Sequence, residues 1–409
     1  MINFSLTEIK DLEKQFGCPL YIFDEKGFEE NYKLFERTFL SYYPKYHISY
    51  SYKTNYTPFI CKLVKSYGGY AEVVSGMERY IAKKVGYEDD KIIYNGPDKG
   101  EDGIKAALLG SIVNIDHLEE LRAIIRAALN NTEKELRIGL RVNPEIGQNF
   151  VSRFGMDKKD IEKAMTLVKE VPNLSVVGLQ CHISRCRDLK AWKNRTVFML
   201  TLADQFFIER PPAYIDLGSG MFGQMDPELK EQFNNVPTYE EYAMETARIV
   251  DDHYKDVPET DKPVLFTEPG TTLVNKYIDF ICRVDAIKTI QENGFAILNA
   301  SEHNLGETCL LKKLPVKVFS NTGQVKRVKN LNLTGYTCLE QDVMYNDYTG
   351  PLESGSYIQF GNVGGYSNVY KPPFIRPNCA MIARNGDGTY KLIKRVETYS
   401  DVLQTYCFD

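Results

Sequence analysis

From residue 45 onward the sequence repeats one beat: a short apolar run, a polar or glycine-bearing turn, then a stretch of helix length. The runs fall at residues 47–53, 71–75, 91–95, 112–116, 136–142, 174–182, 213–217 and 264–268. Each is rich in Val, Ile or Tyr, as a strand buried on both faces must be. The stretches between them carry helical spacing. Residues 58–67 place Ile60, Leu63 and Val64 on one stripe, and residues 117–129 do the same with Leu118, Leu121, Ile124, Ile125 and Ala128, capped by Asp116. Residues 76–85 and 189–206 read as helices too. Eight strand–helix units joined by right-handed crossovers close into an α/β fold of the (β/α)8, TIM-like barrel kind.

The beat stops after Gly270. Runs at 277–287, 295–298, 316–319, 325–331 and 356–360 are separated by Gly, Asn or Pro turns without long helices, which predicts an antiparallel β domain. The strand-like opening Pro19-Leu-Tyr-Ile-Phe-Asp24 joins it in this reading. The barrel then spans 25–272, and the β domain takes 1–24 and 273–409. A chain of 409 residues has core enough for both.

Charge narrows the partners. With 50 basic against 55 acidic residues and no long basic block, neither nucleic acid nor an anionic membrane is the expected partner. No apolar run reaches membrane-spanning length, and the charged start lacks the apolar core of a signal peptide. Nine cysteines, an odd count without a CxxC pair, point to reduced thiols in a cytoplasmic enzyme rather than to disulfides or a metal site.

In such barrels the chemistry sits at the C-terminal ends of the strands. Those ends carry Lys53, Ser75, Asn95, Asn143, His182, the turn Gly218-Ser219-Gly220 and Glu268. A lysine there can bond an aldehyde once burial or charge lowers its affinity for protons, although a strand-end lysine taken alone more often snorkels. Glycines after the seventh run let backbone N–H groups face an oxyanion, though alone they mark no more than a turn. Glu268, buried at a strand end, must be paired or protonated; the ring nitrogen of a pyridine cofactor is one suitable partner. His182 suits the cofactor's ring face as well as it suits a satisfied core position.

In their order and placement these residues resemble the alanine-racemase-like group of pyridoxal-phosphate enzymes, and within it the diaminopimelate and ornithine decarboxylase family. The resemblance runs through Gly17-Cys-Pro-Leu-Tyr-Ile-Phe-Asp24, Tyr52-Lys53-Thr54-Asn55, Ala71-Glu-Val-Val-Ser-Gly76 and Arg141-Val-Asn-Pro144. It continues through Ser152-Arg-Phe-Gly155, Cys181-His182-Ile183, Asp216-Leu-Gly-Ser-Gly220, Glu268-Pro-Gly270, Cys338-Leu-Glu-Gln-Asp342 and Gly365-Tyr366. It implies that Lys53 carries pyridoxal 5'-phosphate, that His182 stacks on its ring and that Glu268 pairs with the ring nitrogen. Gly218, Ser219, Gly220, Gly270, Thr271 and Tyr366 would complete the cofactor site. Cys338 would reach the neighbouring subunit of a homodimer and return a proton to the substrate carbon. Glu268 favours decarboxylation, because racemases of this fold place an arginine there and suppress the electron sink.

Three departures from the family bear on substrate. Thr271 stands where the family has an arginine, Leu339 where it has the acid that holds a distal ammonium, and His182-Ile-Ser-Arg185 where it often has His-x-Gly-Ser. Arg185 and Asp342 become candidate substrate residues. The expected substrate is an amino acid or derivative with a neutral or acidic distal end, such as a siderophore or antibiotic precursor. Diaminopimelate decarboxylation and racemisation are the alternatives. A cofactor-free aldolase is opposed by the β domain and glycine turn, and a non-catalytic cofactor carrier leaves residues 273–409 without a purpose.

Overall fold

The computed structural model describes all residues except 148–149, 321–325 and 409. It divides into two compact units, Tyr32–Phe222 with Asn235–Thr272, and Met1–Asn31 with Gly223–Asn234 and Leu273–Asp409.

The first unit is a closed parallel barrel of eight strands. They are Tyr46–Ser51, Tyr70–Val73, Ile92–Tyr94, Ile112–Ile115, Leu136–Val142, Leu174–Cys181, Tyr214–Asp216 and Val264–Thr267. The last closes on the first, with Tyr46 opposite Leu265 and Ile48 opposite Thr267. Tyr70, Ile93, Tyr214 and Phe266 pack together in its interior. Two glycines make room for the Tyr214 ring: a Cβ on Gly178 would lie 2.3 Å from its Cζ, and one on Gly139 only 1.9 Å from its hydroxyl. That hydroxyl donates to Asn114 Oδ1 at 2.6 Å, so the plug is satisfied as well as packed.

The helices follow the apolar stripes. Leu189–Phe206 agrees with the sequence reading residue for residue, and Asp188 caps it by accepting the N–H of Ala191. Leu118–Leu129 buries Leu121 and Ile124, each worth about 2 kcal/mol when removed from water. Its cap is His117, not Asp116: Asp116 turns inward and accepts from Arg141 and the N–H of Gly155. None of the helices of the described residues is long and apolar enough to cross a membrane.

The second unit is a nine-stranded sheet, mostly antiparallel. Leu20–Asp24 lies inside it, antiparallel to Ile278–Ile290 and parallel to Ala380–Arg384. Asn293–Leu298 and Arg327–Thr334 form the other parallel pair. Val325, the first residue of the run expected at 325–331, lies outside the described residues. Ile9, Leu12, Ile22, Ile281, Phe319 and Ile382 belong to its core cluster.

The division between units differs from the expected one in two places. It falls inside helix Glu25–Leu40, because Phe28 packs on Phe23 and Asn31 donates to Leu273 O. Gly223–Asn234 belongs to the β unit, where Asp226 accepts from Asn362 and Lys312 donates to Gln232 O.

Candidate active site at the barrel mouth

Lys53 lies one turn beyond its strand, in the 3-10 turn Tyr52–Thr54. Its Nζ is 2.6 Å from Glu72 Oε2 and 2.7 Å from Ser51 Oγ. Glu72 is a carboxylate within the buried second strand, and its other oxygen accepts from Asn95 Nδ2 at 3.1 Å. Asn95 also donates to Glu268 Oε1 at 2.6 Å, so one amide ties together a carboxylate within the second strand and one just beyond the eighth. Asn114 in turn donates to Asn95 Oδ1 at 2.8 Å and fixes the amide's orientation.

Glu268 is fully enclosed, which by itself would push its carboxyl group up. The Lys53 charge, with the Gln180 and Asn95 amides at 2.9 and 2.6 Å, outweighs burial and holds it below the ordinary carboxylate range. Asp216 beside it goes the other way: burial and the Glu268 charge raise it well above the carboxylate range, which keeps it protonated. The two buried acids are thus pushed in opposite directions: Glu268, one residue beyond its strand, is held as the anion, and Asp216, the last residue of its own strand, is pushed toward its protonated form.

His182 Nδ1 accepts the Ser219 N–H at 3.2 Å. Its distance to Glu268 Oε2, 3.7 Å, is too long for a hydrogen bond. The ring proton therefore sits on Nε2, and burial lowers the imidazole below its ordinary range, so the ring is neutral.

The glycine turn is built for close approach. Gly218 and Gly220 adopt φ of 69° and 106°, which favour glycine, and a Cβ on Gly218 would meet Cys181 O at 2.2 Å. The Gly218 and Ser219 N–H groups are engaged by Asp216 and His182. The N–H groups of Gly220 and Gly270 have no acceptor among the described residues and are the ones able to meet an anion. A Cβ on Gly270 would strike Thr54 Oγ1 at 2.0 Å.

Arg195, which sequence reading missed, holds this turn. It is fully buried, stacks over Trp192 and donates to the carbonyls of Leu217, Ser219 and Ile183 at 2.9, 2.9 and 3.0 Å. The signal was its place beside Ala191, Trp192 and Met199 on the buried helix face.

The remaining sequence candidates separate. Ser75 caps Gly76–Lys84, and Asn143 donates to Ser152 O, both local structural roles. Thr271 opens the short helix Thr271–Val274. Arg185 is exposed in a left-handed conformation, φ 70°, with no polar partner among the described residues. Cys338, Asp342 and Tyr366 belong to the β unit. Cys338 is exposed, whereas Asp342 is buried and accepts from Glu302 N, Thr337 N and Thr337 Oγ1, which shapes the Cys338 loop. Tyr366 is half-buried with φ 54°.

This set fits pyridoxal phosphate. A lysine in a polar cluster, an ionised buried carboxylate, a neutral imidazole and glycine N–H groups without protein acceptors supply its four needs. Gln180 Oε1 and Asp216 Oδ2 are buried there without partners.

Residues 28–275 match the family described as pyridoxal-dependent decarboxylase, pyridoxal binding domain. The diaminopimelate decarboxylase of Aquifex aeolicus is 26% identical over 417 residues, covering 97% of this chain and 94% of that protein. That of Archaeoglobus fulgidus is 24% identical, covering 97% and 95%. A solved diaminopimelate decarboxylase from M. jannaschii, in co-complex with L-lysine, superimposes with a TM-score of 0.84 at 24% identity, covering 98% and 94%. With its barrel matched across that span, the chain belongs to the pyridoxal-dependent decarboxylases.

Proposed function

We propose that this enzyme releases the α-carboxyl group of an amino acid as CO2, with pyridoxal phosphate attached through Lys53. The observation that carries the reading is the Lys53–Glu72–Asn95–Glu268 chain at the strand ends, which sets a lysine and an ionised carboxylate in one polar cluster. When bound, the cofactor supplies an electron sink for the carbon that loses CO2.

The protein's part is placement and charge. Glu268, held as an anion, would pair with the ring nitrogen and favour its protonated form, which favours decarboxylation over racemisation. His182, its orientation fixed by the Ser219 N–H, would cover a face of that ring. Gly220 and Gly270 offer N–H groups to the phosphate, together with Ser219, Thr271 and Tyr366. Cys338 is exposed on the β unit and returns a proton to the substrate carbon of a partner subunit, which makes the working unit a homodimer.

The full-length relatives support meso-diaminopimelate as substrate. A second reading, a specialised amino acid with a neutral or acidic distal end, is favoured by Leu339 beside Cys338 and by the fully engaged carboxylate of Asp342. Measuring CO2 release from meso-diaminopimelate against a panel of amino acids and their acylated derivatives tests both. Absence of CO2 from every member, in enzyme with borohydride-reducible cofactor, would overturn the decarboxylase reading.

A further inference from the structure

The β unit contains a cavity of about 660 Å³ among Cys18, Pro19, Tyr336, Lys371, Arg376 and Tyr399, none of which is assigned to cofactor or substrate above. Its volume lies within the range of small-molecule sites. Lys371 is only 7% exposed, yet its Nζ donates to Asn378 Oδ1 at 2.9 Å and makes no ion pair among the described residues. The carboxylate in the cavity wall, Glu397, already accepts from the N–H and side chain of Asn378 and pairs with Lys394 at 3.1 Å. Arg376, the second cation of the wall, lies over the Tyr336 ring at 4.3 Å.

A buried ammonium without a contact ion pair is costly, and burial, only partly offset by the nearby Glu397 charge, pushes Lys371 below its ordinary range. A protein with no use for that charge would do better with an apolar side chain there. Pro19, Pro377, Val396 and the Tyr336 and Tyr399 rings form the apolar part of the wall, beside the polar side chains of Asn299, Asn304 and Thr398. An inorganic ion would leave most of this volume empty. We infer that the cavity binds a small organic anion, its carboxylate between Lys371 and Arg376 and its apolar body against the prolines and tyrosines. The inference does not depend on the decarboxylase reading, because none of these residues has a part in it.

Calorimetric titration of the cofactor-loaded enzyme with sodium hexanoate tests it, with hexylamine as the oppositely charged control. Saturable hexanoate binding is expected, with none for hexylamine. Lys371→Met should weaken it at least about tenfold, and Lys53→Ala should leave it unchanged. If Lys371→Met does not fold, Arg376→Gln serves in its place, with weakening of about fivefold expected. No saturable binding by the wild type, equal affinity in the cavity variants, or loss of binding in Lys53→Ala would overturn the proposal.

Discussion

Lys53 Nζ lies 2.6 Å from Glu72 Oε2, and the two partners differ sharply in freedom: the lysine side chain is 27% exposed and the carboxylate 1%. The acid is buried and the lysine partly accessible, as the proposed attachment of an aldehyde at Lys53 requires. Lys53→Ala should abolish borohydride-reducible attachment of cofactor; a reduced adduct on Lys62 or Lys65 would contradict the assignment. The same change leaves Glu72 as an uncompensated buried charge, at a cost of about 3 kcal/mol. Adding Glu72→Gln to Lys53→Ala should recover much of that loss in denaturant unfolding. If the double variant is no more stable than the single, the pair is not the coupled unit its geometry indicates.

Glu268 and Asp216 make a paired prediction. Glu268 is held ionised and Asp216 protonated, so only one of the two should tolerate its amide. Glu268→Gln should keep cofactor but lose clearly more than tenfold in turnover, that is, more than about 1.4 kcal/mol of barrier. Asp216→Asn imitates the protonated acid and should stay within a few-fold of wild type. Equal losses in both, measured with intact cofactor, would show that the charge division is wrong.

The barrel was legible because burial on two faces forces continuous apolar runs, and all eight strands fall within or against the expected spans. The β unit was harder. Val343–Pro351 carries Asn, Asp and Gly in a half-exposed strand, and Ala380–Arg384 is recognisable as central only once Leu20–Asp24 pairs beside it. Within the site, strand-end residues could be read from position. Glu72 could not, since it sits inside a strand and not at its end; a lone carboxylate in the run Tyr70–Val73 was the overlooked signal. Arg195 acts on three carbonyls brought together from loops distant in sequence, which no local pattern encodes.

Glu78 gives a pH dependence. Burial raises it from 4.5 to about 7, and it accepts the Val74 N–H at 2.8 Å. The folded state therefore binds a proton that the unfolded state releases near 4.5, so this group's contribution is fully present below 4.5 and is lost as pH rises through 7. Glu78→Gln keeps the acceptor without the charge. It should be more stable than wild type at pH 8 by on the order of 2 kcal/mol and nearly equal at pH 4. A stability difference that does not vary with pH in unfolding titrations would refute this.

Cys338 tests the shared site. Its loop belongs to the β unit and its thiol is exposed, so it is free to meet another chain. Inactive Lys53→Ala and Cys338→Ala subunits, mixed to form heterodimers, should regain activity through one repaired site in each. If heterodimers form and nothing is regained, Cys338 acts within its own chain or is structural.

The last prediction concerns the far end of the substrate. meso-Diaminopimelate carries a distal ammonium and a distal carboxylate, whereas the second reading keeps at most the carboxylate. Where the distal end is acidic, the two readings share an anion and differ by a cation. Arg185 suits the shared feature: it is exposed, lacks a polar partner among the described residues and holds a left-handed backbone that costs about 1 kcal/mol, a kind of strain concentrated at functional sites. The distal ammonium has fewer candidates, since Leu339 cannot serve and Asp342 is buried and already engaged three times. Within the Cys338 loop that leaves the exposed Glu340. Arg185→Ala should raise KM for any substrate with a distal carboxylate, by about tenfold, without changing cofactor absorbance. Glu340→Gln should raise KM for meso-diaminopimelate but not for 2-aminopimelate, which has the carboxylate alone. If Glu340→Gln affects neither while 2-aminopimelate is the better substrate, the diaminopimelate reading fails and the neutral-or-acidic one stands. Turnover of free lysine or ornithine as efficient as that of either test compound would reject both readings, because neither carries a distal carboxylate for Arg185 to hold.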